Sequence, residues 1–310
     1  MYAIETNNLS KHYGSLKAVD KLNLKVPKGA VCGFLGKNGA GKTTAIKMMV
    51  GLAKPTDGEI FLMGEKRKFG YHNNSKIGYL PDVPSFYGYM TAYEYLCFCG
   101  ELYKMENKKL KVYIPELLKR VGLNNTKTRI SGYSRGMKQR LGIAQALINE
   151  PEIFFMDEPV SALDPVGRKD VIEIIKGLSK DVTVFFSTHI LTDVESICDY
   201  ILILDKGEIL LQNTLENIRR TYIPNAVRLR FYGEADGEYV MEAVSKIEEM
   251  VVDRINAVEY LMKSGNIRES GKNVLKFITN EGIELENYQS YTPTLEDIFL
   301  KAIDRGNTHA

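Results

Sequence analysis

The segment Gly36-Lys37-Asn38-Gly39-Ala40-Gly41-Lys42-Thr43, followed by Thr44, has the spacing G-x-x-x-x-G-K-[ST]. Glycines at these places let backbone N–H groups converge on phosphate oxygens with no Cβ in the way. A helix that follows turns its positive end on the same anion. In such a loop Lys42 reaches the β- and γ-phosphates of a nucleotide, and the Thr43 hydroxyl ligates Mg²⁺. Gly36, Lys37, Asn38, Gly39, Ala40, Gly41, Lys42, Thr43 and Thr44 are therefore the expected phosphate-binding residues. A second group is Ile153-Phe154-Phe155-Met156-Asp157-Glu158-Pro159, an apolar run that ends in two carboxylates. Ligands bind at the carboxyl ends of parallel strands. There Asp157 is placed to hold Mg²⁺, and Glu158 to accept a proton from an attacking water.

These residues need elements to position them. Ala30 to Leu35 reads as a buried strand, the glycine loop follows, and Lys42 to Leu52 has helical character. Ile153 to Met156, Thr183 to Ser187 and Tyr200 to Leu204 are further strand-length apolar runs, of the kind covered on both faces in parallel sheets. Gly167 to Leu178 carries Val171, Ile174, Ile175 and Leu178 on one helical face. Pro84 to Ala146 has a helical pattern and no buried-strand run. Its aromatics Phe86, Tyr87, Tyr89, Tyr93, Tyr95 and Phe98 suit either a core or a partner groove. Near Ile223-Pro224-Asn225 the character changes. Strands are expected over Val227 to Tyr232, Ala257 to Met262 and Leu285 to Tyr291, and helices over Tyr239 to Met250, Ile267 to Asn280 and Leu295 to Ile303. The expected fold is α/β: a P-loop NTPase core with a parallel-rich sheet over residues 1–222, a helical insertion subdomain at about 84–146, and a small α+β domain over 225–310.

The ordered set of motifs resembles the ATP-binding cassette (ABC) ATPases across essentially residues 1–220. Tyr13, in Lys11-His12-Tyr13-Gly14, is similar to the aromatic that stacks on adenine. Tyr133-Ser134-Arg135-Gly136-Met137-Lys138-Gln139-Arg140 resembles the family signature, Ser161-Ala162-Leu163-Asp164 the loop after the carboxylates, and Ser187-Thr188-His189 the switch-histidine loop. The resemblance implies a catalytic centre shared between two subunits. One supplies the phosphate loop with Lys42, then Asp157, Glu158 and His189, and the other brings Ser134 and the backbone at Gly136 to the γ-phosphate. Two departures stand out. Asp82 occupies a place where the family usually has Gln, which makes it a further candidate for the metal. The signature has Arg135 where Gly is usual and Met137 where Gln is usual. With the tail Thr292-Pro293-Thr294-Leu295-Glu296-Asp297-Ile298-Phe299-Leu300, these variations resemble bacterial export ATPases of the drug- and antibiotic-peptide-resistance subgroup.

Composition narrows the function. With 41 Lys+Arg against 39 Asp+Glu, the net charge of +2 argues against a surface built throughout to hold nucleic acid. No run reaches the ~18 apolar residues of a spanning helix, and the N-terminus has no export signal. Cys32, Cys97, Cys99 and Cys198 are read as structural thiols. The expectation is an ATPase that uses ATP and Mg²⁺. It works as a dimer, held at the inner face of the cell membrane by a separate permease, and exports that permease's cargo. A soluble ABC ATPase acting on nucleic acid or ribosomes is the alternative.

Overall fold

The structure is a computed structural model of the 310-residue chain. It describes all residues except 69–74, 125–126, 162, 179–181, 223–225, 246–249, 292–293 and 308–310. Ala162, Ile223-Pro224-Asn225 and Thr292-Pro293, used above, therefore lie outside the described residues. The chain forms two compact units, Met1–Leu215 with Phe299–Ala310, and Glu216–Ile298.

The first unit opens on two long strands, β1 (Tyr2–Tyr13) and β2 (Leu16–Pro27), paired antiparallel. With β4 (Asp57–Leu62) and β5 (Glu65–Lys66) they form a sheet in the order β2-β1-β4-β5. The second sheet holds β3 (Val31–Leu35), β6 (Ile77–Leu80), β7 (Ile153–Asp157), β8 (Thr183–Thr188), β9 (Tyr200–Asp205) and β10 (Glu208–Thr214) in the order β10-β9-β3-β8-β7-β6. Every pairing in it is parallel except β10 on β9. Residues of β3, β7 and β8 are buried throughout, as the apolar runs require of strands covered on both faces. Phe34, Phe155 and Phe185 fill the space between the sheets with Ile46, Met48 and Met49 of α1 (Lys42–Met49). That helix is shorter than the expected Lys42 to Leu52. Gly51, at φ 84°, takes the left-handed conformation, and the Leu52 amide turns back to the Lys47 carbonyl.

The insertion is helical: α2 (Ala92–Leu102), α3 (Asn107–Arg120) and α4 (Arg135–Leu147). A capping box starts α2, with Thr91 and Glu94 satisfying each other's backbone amides. The aromatic run divides between core and surface. Tyr95 is buried with Phe86 edge-on against it at 5.2 Å, whereas Tyr87 and Tyr89 are exposed. After β7 come α5 (Pro165–Leu178) and, after β8, α6 (Leu191–Ile197). Pro165 opens α5 because a first-turn amide needs no helical partner. The four cysteines are free thiols, three of them buried.

α7 (Leu215–Tyr222) leads into the second unit, which holds β11 (Ala226–Phe231), α8 (Glu234–Ser245), β12 (Met250–Arg254), β13 (Glu259–Ser264), α9 (Ile267–Asn280) and β14 (Leu285–Ser290); α10 (Leu295–Asn307) is last in the chain, and from Phe299 on its residues belong to the first unit. The sheet order β12-β13-β11-β14, all antiparallel, is that of the split βαββαβ fold. Val227, Leu229, Phe231 and Met262 pack on Val240 and Val244 of α8 and Val274 and Ile278 of α9. One expectation here is overturned. The helix expected over Tyr239 to Met250 ends at Ser245, and Met250 opens a strand. The Asn256 side chain accepts from the Val258 amide at 3.1 Å and turns β12 back onto β13, so the strand expected from Ala257 starts at Glu259. Among the described residues no helix is long and apolar enough to cross a membrane.

Candidate active site

The glycine loop leaves β3 at Leu35 and enters α1 at Lys42. Two of its glycines answer to neighbouring backbone. A Cβ on Gly36 would lie 2.6 Å from the Leu204 carbonyl oxygen, and one on Gly41 would lie 2.3 Å from that of Ala18. Gly41 also has φ 105°. The loop is thus wedged between β9 and β2. Lys37, Asn38, Gly39 and Thr43 form its exposed crest, with Ala40 buried beneath. The Lys42 ammonium is buried and donates to the carbonyls of Gly36 at 2.7 Å and Lys37 at 3.2 Å.

Next to β3 in the sheet lies β8, and next to that β7, so three strand ends converge. Asp157, at the end of β7, is 3% exposed. Its Oδ1 accepts from the Thr43 hydroxyl at 3.1 Å and from the Ser187 hydroxyl at 2.6 Å. The chain then turns at Glu158 with φ 47°, a left-handed conformation that costs a residue with a Cβ. The Glu158 amide holds the turn by donating to the Ser187 hydroxyl at 3.0 Å and its carbonyl at 3.2 Å. The carboxylate is thereby shared. Oε1 stands 3.5 Å from the Lys42 ammonium, and Oε2 stands 3.0 Å from His189 Nδ1. A buried cation, two hydroxyls and two carboxylates with separate partners now share one corner. The oxygens are hard donors of the kind that Mg²⁺ and phosphate chemistry use.

The remaining candidates lie around this corner at different removes. The Asp82 Oδ1 accepts from the Ser161 hydroxyl at 3.2 Å, and Ser161 also bonds the Glu158 carbonyl at 3.3 Å. Burial, with the charges of Asp157 and Asp82 nearby, pushes the Tyr79 phenol up to about 12, so it stays a neutral hydroxyl. Tyr13 ends β1, pairs in register with Leu16 of β2 and exposes 53% of its surface. The Lys11 ammonium lies 5.0 Å from its ring centroid. Asp164 accepts from the Gly167 amide through Oδ1 at 3.2 Å and so starts α5. Ser134 caps α4, its hydroxyl accepting from the Met137 amide at 3.2 Å. Among the described residues Ser134 makes no bond to the phosphate loop, and Gly136 meets nothing within 4 Å of where a Cβ would stand.

The ABC transporter profile matches residues 19–161, and that of the ATP-binding protein DrrA1-3-like C-terminal domain matches residues 214–303. The chain is 37% identical to the uncharacterized ABC transporter ATP-binding protein YxlF of Bacillus subtilis, over 98% of this chain and 99% of the relative. It is 37% identical to the bacitracin transport ATP-binding protein BcrA of Bacillus licheniformis, over 98% of each. The chain belongs to the ATP-binding subunits of ABC transporters. Among solved structures, an ATP-binding subunit of an ABC transporter superposes with a TM-score of 0.62 at 29% identity, covering 71% of this chain and 93% of that one. A dimeric, post-hydrolysis ATP-binding cassette bound to ADP and Pi superposes with a TM-score of 0.61 at 25% identity, covering 68% of this chain and 98% of that one.

This ABC subunit binds ATP and hydrolyses it to ADP and phosphate. The expected likeness to the drug- and antibiotic-peptide-export subgroup is met by the bacitracin relative and by the tail profile. Two residues that organise the corner were not singled out from sequence. The Ser187 hydroxyl donates to the Asp157 carboxylate and accepts from the Glu158 amide, and its signal was a hydroxyl at the end of a buried apolar strand, which needs a partner. Gln139 is buried on α4, and its side-chain amide donates to the Pro159 carbonyl at 2.8 Å, linking the signature helix to the carboxylate turn. Helical periodicity carries no sign of that bond.

Proposed function

We propose that this subunit hydrolyses ATP at a site completed by a second copy of itself, and that the cycle drives export through a separate membrane permease. The observation that carries the reading is the corner where Lys42, Thr43, Asp157, Glu158 and His189 meet, with Ser134 and Gly136 on the same chain outside it. Gly136 needs its missing side chain neither for an unusual φ nor for packing within its own chain. An approaching phosphate gives a reason for it.

In this reading Lys42 moves its charge from the loop carbonyls to the β- and γ-phosphates, at the positive end of α1. Mg²⁺, when bound, offsets phosphate charge. The Thr43 hydroxyl and the Asp157 carboxylate fit it as hard oxygen donors, and Asp82 is the more distant third candidate. Glu158 takes a proton from the water that attacks the γ-phosphorus. His189 orients Glu158 and donates to the γ-phosphate. Tyr13 stacks on adenine with the ring face that Lys11 leaves open. The second copy caps the γ-phosphate with the Ser134 hydroxyl and the start of α4. ATP then joins the two subunits and its cleavage releases them. The permease holds the subunit at the inner face of the membrane and determines the cargo.

The test is Glu158→Gln, which keeps the shape and hydrogen bonding of the side chain but removes the base. The variant should bind ATP, fail to cleave it, and elute as a dimer in size exclusion with ATP. Wild-type turnover in Glu158→Gln would overturn the assignment of the base. A monomer at every protein concentration would overturn the shared site.

A further inference from the structure

The loop after the carboxylates and the loop that carries His189 are joined by one ion pair. Arg168, in the first turn of α5, forks onto Asp193 of α6, with Nε at 2.8 Å and Nη2 at 2.6 Å from the same oxygen, Oδ1. Nη2 also donates to the Thr192 hydroxyl at 3.1 Å. The backbone on the α5 side is fixed in turn, because the Arg168 amide donates to the Asp164 carbonyl at 2.9 Å. Asp193 is 4% exposed, and its other oxygen, Oδ2, is buried with no hydrogen-bond partner among the described residues. Everything that compensates this buried carboxylate among the described residues therefore passes through Arg168, apart from the field of one other group. That group is His189, four residues earlier: burial raises the Asp193 pKa, Arg168 lowers it through its hydrogen bond and charge, and a protonated His189 would add to that lowering.

His189 itself is weakly held. Its ring is 44% exposed, and the contact that orients it is the one to Glu158. Only Ile190 separates it from α6. Glu158 holds the ring, and Asp193 is a second carboxylate that lies within range of its field. With Arg168 in place, Asp193 is satisfied and Glu158 keeps the ring.

We propose that Arg168 and Asp193 are positioning residues, and that their fork between α5 and α6 leaves His189 free to face Glu158. The inference rests on the roles given above to Glu158 and His189. Losing Arg168 strands a buried carboxylate, which is costly, and the one other group whose field reaches it, His189 in its protonated form, is drawn to relieve it. The ring then leaves Glu158 and hydrolysis falls, while the phosphate loop that binds ATP is untouched.

The test is a kinetic cycle on the full chain, read as kcat and KM for ATP, with thermal unfolding followed in parallel. Arg168→Met should lower kcat roughly tenfold to a hundredfold, as small misplacements of a reacting group do. KM should stay within about twofold, because ground-state binding is unchanged. In a His189→Ala background the same substitution should cost nothing further in kcat. Arg168→Met with Asp193→Asn, which removes the stranded charge, should recover part of the loss. If Arg168→Met does not fold, Arg168→Lys keeps the charge but loses the fork, and should give the same pattern more weakly. Losses from Arg168→Met and His189→Ala that multiply, or a loss confined to KM, would overturn the proposal. So would no recovery in the double variant. If His189→Ala lowers kcat and Arg168→Met does not, only the positioning role fails. If His189→Ala leaves kcat unchanged, the reading of the site fails and takes this proposal with it.

Discussion

Lys42 is the buried cation nearest the loop crest, and two carbonyls and Glu158 compensate it. Lys42→Ala should lower hydrolysis by about 10²–10³-fold, the usual effect of removing one positioned donor at a developing charge. It should also weaken ATP binding, as equilibrium binding of a fluorescent ATP analogue would report. Retained turnover would contradict the phosphate role. Tyr13→Ala should cost ~1–3 kcal/mol of nucleotide affinity if stacking here is worth what it is on other aromatics. An unchanged Kd would remove Tyr13 from the site. Asp82→Asn should reduce kcat less than Glu158→Gln, because Asp82 bonds the Ser161 hydroxyl while Glu158 faces Lys42 and His189. At this scale most of the corner was legible in the sequence. Chemistry that needs a fixed residue at a fixed spacing leaves a motif, as at Lys42 and Asp157. Ser187 and Gln139 act through hydrogen bonds to residues distant in the sequence, and nothing near them marks those partners.

Elements carry the second set of consequences. The phosphate loop depends on β2, since the Ala18 carbonyl occupies the place of a Gly41 side chain. Gly41→Ala adds a clash to the ~1–2 kcal/mol penalty of a left-handed residue with a Cβ. It should abolish ATP binding while circular dichroism stays native. Tight ATP binding by that variant would show that the loop is not wedged. In the helical insertion, Thr91→Ala removes the cap of α2 and should cost ~1 kcal/mol in denaturant unfolding. The Thr91 backbone amide and then its hydroxyl hold the Glu94 carboxyl below its ordinary value. That contribution is complete above the unfolded carboxyl's pKa and is lost as pH falls through the lowered folded value. The stability gap between wild type and Glu94→Gln should therefore close in acid, and a gap that widens there would contradict the box. Strands buried on both faces, such as β3, β7 and β8, were legible because an apolar run of strand length has few other readings. β1 and β2 were not, because their polar residues alternate irregularly and the pairing register shifts repeatedly. β6 was missed as a four-residue edge strand, and β12 because its apolar start follows directly on a helical pattern.

At the scale of the whole molecule, one chain holds every part the proposed chemistry needs, but not in one place. Lys42, Glu158 and His189 meet, while Ser134 caps α4 apart from them. The central claim is that two copies each lend the other what is missing. Hydrolysis per subunit should then rise with protein concentration when the protein is dilute. The most direct measurement mixes Lys42→Ala subunits with Ser134→Arg subunits and follows phosphate release. In a head-to-tail pair one interface carries both lesions and the other carries neither. Each variant should be inactive alone, and the mixture should recover part of wild-type turnover. A mixture that stays inactive, both alone and in membranes containing the permease, would contradict the shared site.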